Sequence, residues 1–122
     1  MSRVIHFEIP ADDPERSISF YEKVFGWRIE KWDGPIEYWL IMTGPEEEPG
    51  IDGGLARRTE PDIGVENTID VKNLDVSLIE VEANGGKIIR PKMAVPGVGW
   101  MAYIKDTEGN IFGLMESDQE AG

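Results

Sequence analysis

One histidine and no cysteine in 122 residues define the reactive inventory of this chain. His6 stands two residues before Glu8, in a stretch from Arg3 to Ile9 whose Val4, Ile5, Phe7 and Ile9 read as a strand. Residues two apart on a strand share a face and lie about 6.5–7 Å apart along it. An imidazole with a reference pKa near 6.5, beside a carboxylate, can anchor a polar ligand or move a proton at neutral pH. A single His excludes a two-His-one-carboxylate iron site, a three-His zinc site and an H-E-x-x-H protease within one copy of the chain. Without Cys there are no disulfides, thiolate nucleophiles or Cys-ligated metal sites.

The elements that must position these residues come in two similar runs. Asp12-Asp13-Pro14-Glu15 supplies a carboxylate cap, a proline at the first helical position and an acidic first turn. Ile18, Tyr21, Val24 and Phe25 then form one apolar stripe, and Gly26 stops the helix. Trp27 to Trp32, Ile36 to Thr43 and Ile51 to Arg57 read as strands. Asp33-Gly34-Pro35 and the stretch Gly44 to Gly50 separate them, and Glu46-Glu47-Glu48 in the second reads as a solvated loop. After a polar linker over 58–64 the pattern restarts. Val65 to Val71 is a strand; Asn73 caps a helix with Leu74, Leu78 and Val81 inward; Asn84-Gly85-Gly86 ends it. Lys87 to Arg90, Trp100 to Lys105 and Ile111 to Glu116 complete the set.

Sliding the chain by sixty residues aligns Ile9 with Ile69, Ser17 with Ser77, Glu22 with Glu82, Gly26 with Gly86 and Ile29 with Ile89. Unrelated sequences would give roughly one or two such identities. The register survives with a one-residue shift where Gly54-Leu55 meets Gly113-Leu114. The expectation is an α+β fold: one domain over 1–122, with βαβββ module one over 3–57 and module two over 65–117. Alternation puts Ile5, Phe7 and Ile9 against the first helix and leaves His6 and Glu8 on the other face. In the repeat that face carries Glu66, Thr68 and Asp70.

Twelve Lys and Arg against twenty-four Asp and Glu give a net charge of −12, which repels phosphate backbones and anionic lipid headgroups. Nucleic acid and membranes are therefore not expected as partners. The longest uninterrupted apolar run, Tyr38 to Met42, is far short of the ~20 residues of a bilayer span. Arg3, His6 and Glu8 break the first apolar stretch, unlike the core of an export signal, so the cytoplasm is the expected compartment.

The segment from His6-Phe7-Glu8-Ile9-Pro10-Ala11-Asp12-Asp13-Pro14 through Phe20-Tyr21-Glu22-Lys23-Val24-Phe25-Gly26-Trp27, together with Lys105-Asp106-Thr107-Glu108-Gly109-Asn110, resembles the vicinal oxygen chelate superfamily of glyoxalase I, bleomycin-resistance proteins and extradiol dioxygenases. Pro96-Gly97-Val98-Gly99-Trp100 further resembles its single-domain glyoxalase-like members. The resemblance implies a U-shaped mixed sheet of two βαβββ modules with helices on the convex face, a small-molecule cleft on the concave side, and pairing into a homodimer. Metal-dependent members place ligands on the first and last strand of each module. Carried onto this chain those positions are His6, Gly54, Glu66 and Gly113, and glycine has no side chain to ligate with.

The reading that follows is metal-free capture of a small organic ligand, with no cofactor and no residue assigned a catalytic role. His6, Glu8, Glu66 and Thr68 would supply polar anchors, while Gly54 and Gly113 would leave room for the ligand. Tyr38, Trp39, Met101 and Tyr103 are candidates for an apolar wall or for core. Trp100 belongs either to a mobile loop at the cleft mouth or to a tight turn followed by a buried indole. Two alternatives stand beside this: a metal-dependent lyase or isomerase of the glyoxalase type using a displaced His6, Glu8 and Glu66 site, and a non-catalytic interaction or regulatory module.

Overall fold

A computed structural model describes residues 1–122 and contains eight strands and two helices. Module one comprises β1 (Val4–Ala11), α1 (Pro14–Phe25), β2 (Arg28–Lys31), β3 (Trp39–Met42) and β4 (Gly53–Arg57). Module two comprises β5 (Glu66–Asp70), α2 (Leu74–Ala83), β6 (Lys87–Val95), β7 (Gly99–Lys105) and β8 (Ile111–Ser117). The fold class is α+β, with the βαβββ order present twice. Two compact units divide the chain, one over His6–Val65 and one joining Met1–Ile5 to Glu66–Gly122.

In module one the strand order is β2-β3-β4-β1, antiparallel except for the parallel pair β1 and β4. Asp13 caps α1 by accepting from the Arg16 amide at 3.2 Å, and Gly26 ends it at φ +71°, where a side chain would be strained. The core is Ile9, Ala11, Ile41 and Leu55, with Phe7, Ile18, Tyr21, Trp27, Ile29 and Trp39 around it. Phe7 and Ile9 thus pack on the helix side as the alternation requires, whereas Ile5, expected with them, is exposed and outside the core. Val24 and Phe25, expected in the buried stripe, are more than half exposed. Phe25 packs on Phe20, Tyr21 and Trp27, so these rings cover one another at the end of the helix. Ile36 and Tyr38 also fall outside the strand expected from Ile36. Pro35 offers no ladder donor, and the Trp32 amide reaches the Tyr38 carbonyl at 2.8 Å, closing a turn so that β3 begins at Trp39.

Module two repeats the arrangement as β5-β8-β7-β6, with β5 parallel to β8. Val71, Leu74, Leu78, Ala102, Ile104 and Leu114 form its core, flanked by Ile69, Val81, Ile88, Trp100 and Phe112. Asn73 caps α2 at the Val76 amide, and Glu116 of β8 accepts from the Leu74 amide at 2.8 Å, tying the helix start to the sheet. Strand β6 runs past the expected Arg90 to Val95. Its outer position in this module and two register shifts accommodate Pro91. The Asp106 carboxylate accepts from the Asn110 side chain and from the Glu108 and Asn110 amides, which holds its pKa below the usual value. The D-x-x-G-N segment is therefore a turn lock between β7 and β8.

Candidate functional site

On β1, the face turned from α1 presents His6 and Glu8. Nε2 of His6 lies 2.8 Å from the Tyr38 hydroxyl and 3.8 Å from Glu8 Oε1. Burial lowers the His6 pKa from its ordinary value, and the negative charge of Asp52 opposes the shift. Register explains the role of Asp52: Phe7 pairs with Gly53 across β1 and β4, which puts Asp52 level with His6. Asp52 Oδ1 accepts from the Thr43 amide at 2.9 Å, so the carboxylate is held in place. The half-buried imidazole is biased toward neutrality, with a phenol on one nitrogen and two carboxylates nearby.

Gly54 does not leave a vacancy beneath this group. A Cβ built on it would fall inside the Tyr38 phenol, so the room expected for a ligand is filled by the tyrosine that reaches His6. The side chain of Tyr38 is brought in by the turn before β3, not by strand alternation. Trp39, a wall candidate, lies on the helix side in the core of module one. A solvent-open cavity of about 390 Å³ lined by Gly26, Arg28, Met42, Thr43, Gly44 and Pro45 touches none of the His6 group, and it does not enter the site.

Module two has the same geometry with different chemistry. Thr68 pairs with Gly113 as Glu8 pairs with Gly54. Thr68 is 2% exposed, and its Oγ1 finds no protein partner. A Cβ on Gly113 would meet Met101 Cε at 2.7 Å and Thr68 Oγ1 at 3.1 Å, so here a flexible thioether fills the glycine notch. Tyr103 pairs with Gly113, and the Arg90 guanidinium lies 5.6 Å from the centre of its ring. Glu66 is half-buried at the start of β5. Trp100 is on a strand, not a loop, which matches the second of its two expected placements, a turn followed by a packed indole. It lies on β7 against the module-two core, donates from Nε1 to Asp118 at 3.0 Å, and carries Lys92 over its ring at 4.9 Å. Pro96 to Val98 make the turn, and alternation then sends the indole to the helix side while Met101 and Tyr103 point away.

The divalent ion implied by the resemblance does not fit the residues present. Gly54 and Gly113 offer no donor, and the one imidazole nitrogen on this face already contacts the Tyr38 hydroxyl. Neither module on its own gathers three His, Asp or Glu side chains that could hold a metal ion. The sequence reading missed Asp52 and the pairing of Tyr38 with His6. Asp52 falls in the expected strand Ile51 to Arg57, but its place beside His6 follows from the parallel pairing with β1, which no local pattern signals.

Known proteins can be set against this geometry. Residues 3–44 match the family model described as bleomycin resistance protein-like N-terminal. A glyoxylase-like domain-containing protein of Didymella fabae is 32% identical over 112 residues, 88% of each chain. A probable lactoylglutathione lyase of Vibrio parahaemolyticus serotype O3:K6 is 27% identical over 127 residues, covering 96% of this chain and 92% of its own. Among solved structures, methylmalonyl-CoA epimerase in complex with methylmalonyl-CoA and ammonium superposes with a TM-score of 0.70 at 14% identity, covering 100% of this chain and 99% of its own. At that identity the likeness speaks for the fold.

Proposed function

This chain belongs to the vicinal oxygen chelate superfamily of glyoxalase, bleomycin-resistance and dioxygenase proteins, and we propose that within it the chain binds a small organic molecule without a metal ion, the His6–Tyr38 pair serving as the polar anchor. The observation that carries this reading is the hydroxyl of Tyr38 at 2.8 Å from His6 Nε2, in space that only a glycine at 54 leaves open. At position 54, where the family resemblance implies a metal ligand, this chain has a glycine and the Tyr38 phenol fills the space. The phenol and imidazole can each give or accept a hydrogen bond, which suits a ligand carrying a carbonyl or hydroxyl group. A net charge of −12 favours neutral or cationic ligands over anions during encounter. The solved neighbour with methylmalonyl-CoA bound supports small-molecule capture by this fold.

The test is mass spectrometry of small molecules released when the purified protein is denatured, repeated on His6→Ala and Tyr38→Phe. A compound retained by the native protein and reduced at least tenfold in both variants is the expected result. Stoichiometric zinc, nickel, manganese or iron lost on His6→Ala would overturn the metal-free reading.

A second reading, proton transfer within a bound substrate, is favoured by the same 2.8 Å contact, since two titratable groups at hydrogen-bond distance can relay a proton. The Vibrio relative is a probable lactoylglutathione lyase. Solvent-deuterium incorporation into a retained compound, abolished by His6→Ala, is the outcome this reading requires. We further propose a cytoplasmic homodimer, the dimer being checked by sedimentation equilibrium.

A further inference from the structure

We infer that the face of module two turned from α2 holds a second, separately built subsite, for a neutral aryl or branched-alkyl carbonyl group, in which the Thr68 hydroxyl donates to the carbonyl oxygen once the Met101 thioether swings out of the Gly113 notch. The inference rests on the reading of the chain as a small-ligand binder and names the ligand chemistry. Three observations converge on it, none of which involves His6.

The first is the orphaned hydroxyl. Thr68 Oγ1 is buried with no protein partner, although a threonine there could be a valine at no cost in shape. Leaving a buried hydroxyl unpaired is unfavourable, so an acceptor oxygen brought to Thr68 Oγ1 would relieve that cost. The second is the filling of the notch. Met101 Cε and Thr68 Oγ1 both come within about 3 Å of the point where a residue-113 Cβ would sit. A methionine terminus is the most easily moved apolar plug available, because three rotatable bonds let it retract without disturbing the backbone.

The third is the methionine row next to the notch, which runs from exposed Met93 through buried Met101 to half-buried Met115. Met93 pairs with Met101 across β6 and β7, and Met101 pairs with Met115 across β7 and β8. Directly opposed residues share a face, so three of the five methionines form one row beside the Thr68–Gly113 pair. Thioethers adapt to irregular apolar shapes and contact aromatic rings favourably. Tyr103, with Arg90 over its ring, bounds the adjoining row. A planar or branched apolar body on the methionine row, with one acceptor oxygen entering the notch, satisfies the hydroxyl and replaces the Met101 methyl.

The experiment uses the full chain with ¹³C-labelled methionine methyl groups, titrated with acetophenone and with ethylbenzene, which has the same shape and no acceptor. Acetophenone is expected to move the Met101 and Met115 methyl signals and to bind about three- to tenfold more tightly than ethylbenzene. Thr68→Val removes that preference and raises Tm, because the unpaired hydroxyl is gone. Gly113→Ala, which fills the notch against a flexible terminus, keeps the fold and weakens both compounds. Equal binding of the two compounds to the native protein, or a Tm lowered by Thr68→Val, overturns the subsite. Probes that shift the His6 ring signals and leave the methionine methyls unmoved overturn the subsite alone. If neither set moves and denaturation releases no small molecule, the proposed function falls with it.

Discussion

His6 is the single histidine of the chain, and its surroundings make a pH prediction with a definite sign. Burial disfavours the imidazolium, so the native pKa lies below the ordinary 6.5 while the unfolded chain keeps a value near it. Between those two values the unfolded state binds more protons, and stability therefore rises with pH through that window. Stability should fall as pH drops below about 6.5 and level off once native His6 is protonated. Urea midpoints from pH 8 to pH 4.5, compared between native protein and His6→Gln, isolate this contribution, and an unchanged pH profile in the variant would contradict it. Asp52→Asn keeps an acceptor for the Thr43 amide and removes the charge that favours imidazolium, so the His6 titration followed by NMR should move further down. Gly54→Ala forces the Tyr38 ring away from His6 and should cost about 1–3 kcal/mol. In a Tyr38→Ala background the same change should cost much less, as a double-mutant cycle would register.

At the scale of elements, the helix starts set how each module is held together. The two N-caps, Asp13 and Asn73, stand sixty residues apart and make the same contact to the amide three residues on. Alanine at either should cost about 1 kcal/mol. Helix α2 has an additional tie in Glu116, a half-buried carboxylate from β8 that receives the Leu74 amide. Glu116→Ala should destabilise by about 1.5–3 kcal/mol, with hydrogen exchange accelerating first in the opening turn of α2. The caps could be read from Asp-Pro and Asn-Leu in the sequence, because capping is a local property of the chain. The Glu116 tie could not, since it joins residues forty-two positions apart.

For the whole molecule, charge is the dominant global property. Twenty-four acidic residues against twelve basic ones repel within any compact state, so raising salt from about 10 to 150 mM should raise Tm. Lys92→Ala and Arg57→Ala, each of which removes a cation from a surface pair, serve as contrasts. Their effects on Tm should be small and should shrink as salt rises. No helix is long and apolar enough to cross a membrane.

The doubling of the βαβββ order, both caps, both helix stops and the faces of β1 and β5 were legible in the one-dimensional chain. Each depends on the period of a strand or helix and on residues within a few positions of one another. The contents of the faces were not. Whether Gly54 and Gly113 open space or admit a neighbour depends on which side chain the turns deliver there, Tyr38 in one module and Met101 in the other. Trp100 went to the helix side because the turn ends at Val98 and fixes the parity of β7, a one-residue matter that spacing alone leaves open. The orphaned Thr68 hydroxyl belongs to the same class of fact, since a missing partner exists only once every neighbour has been placed.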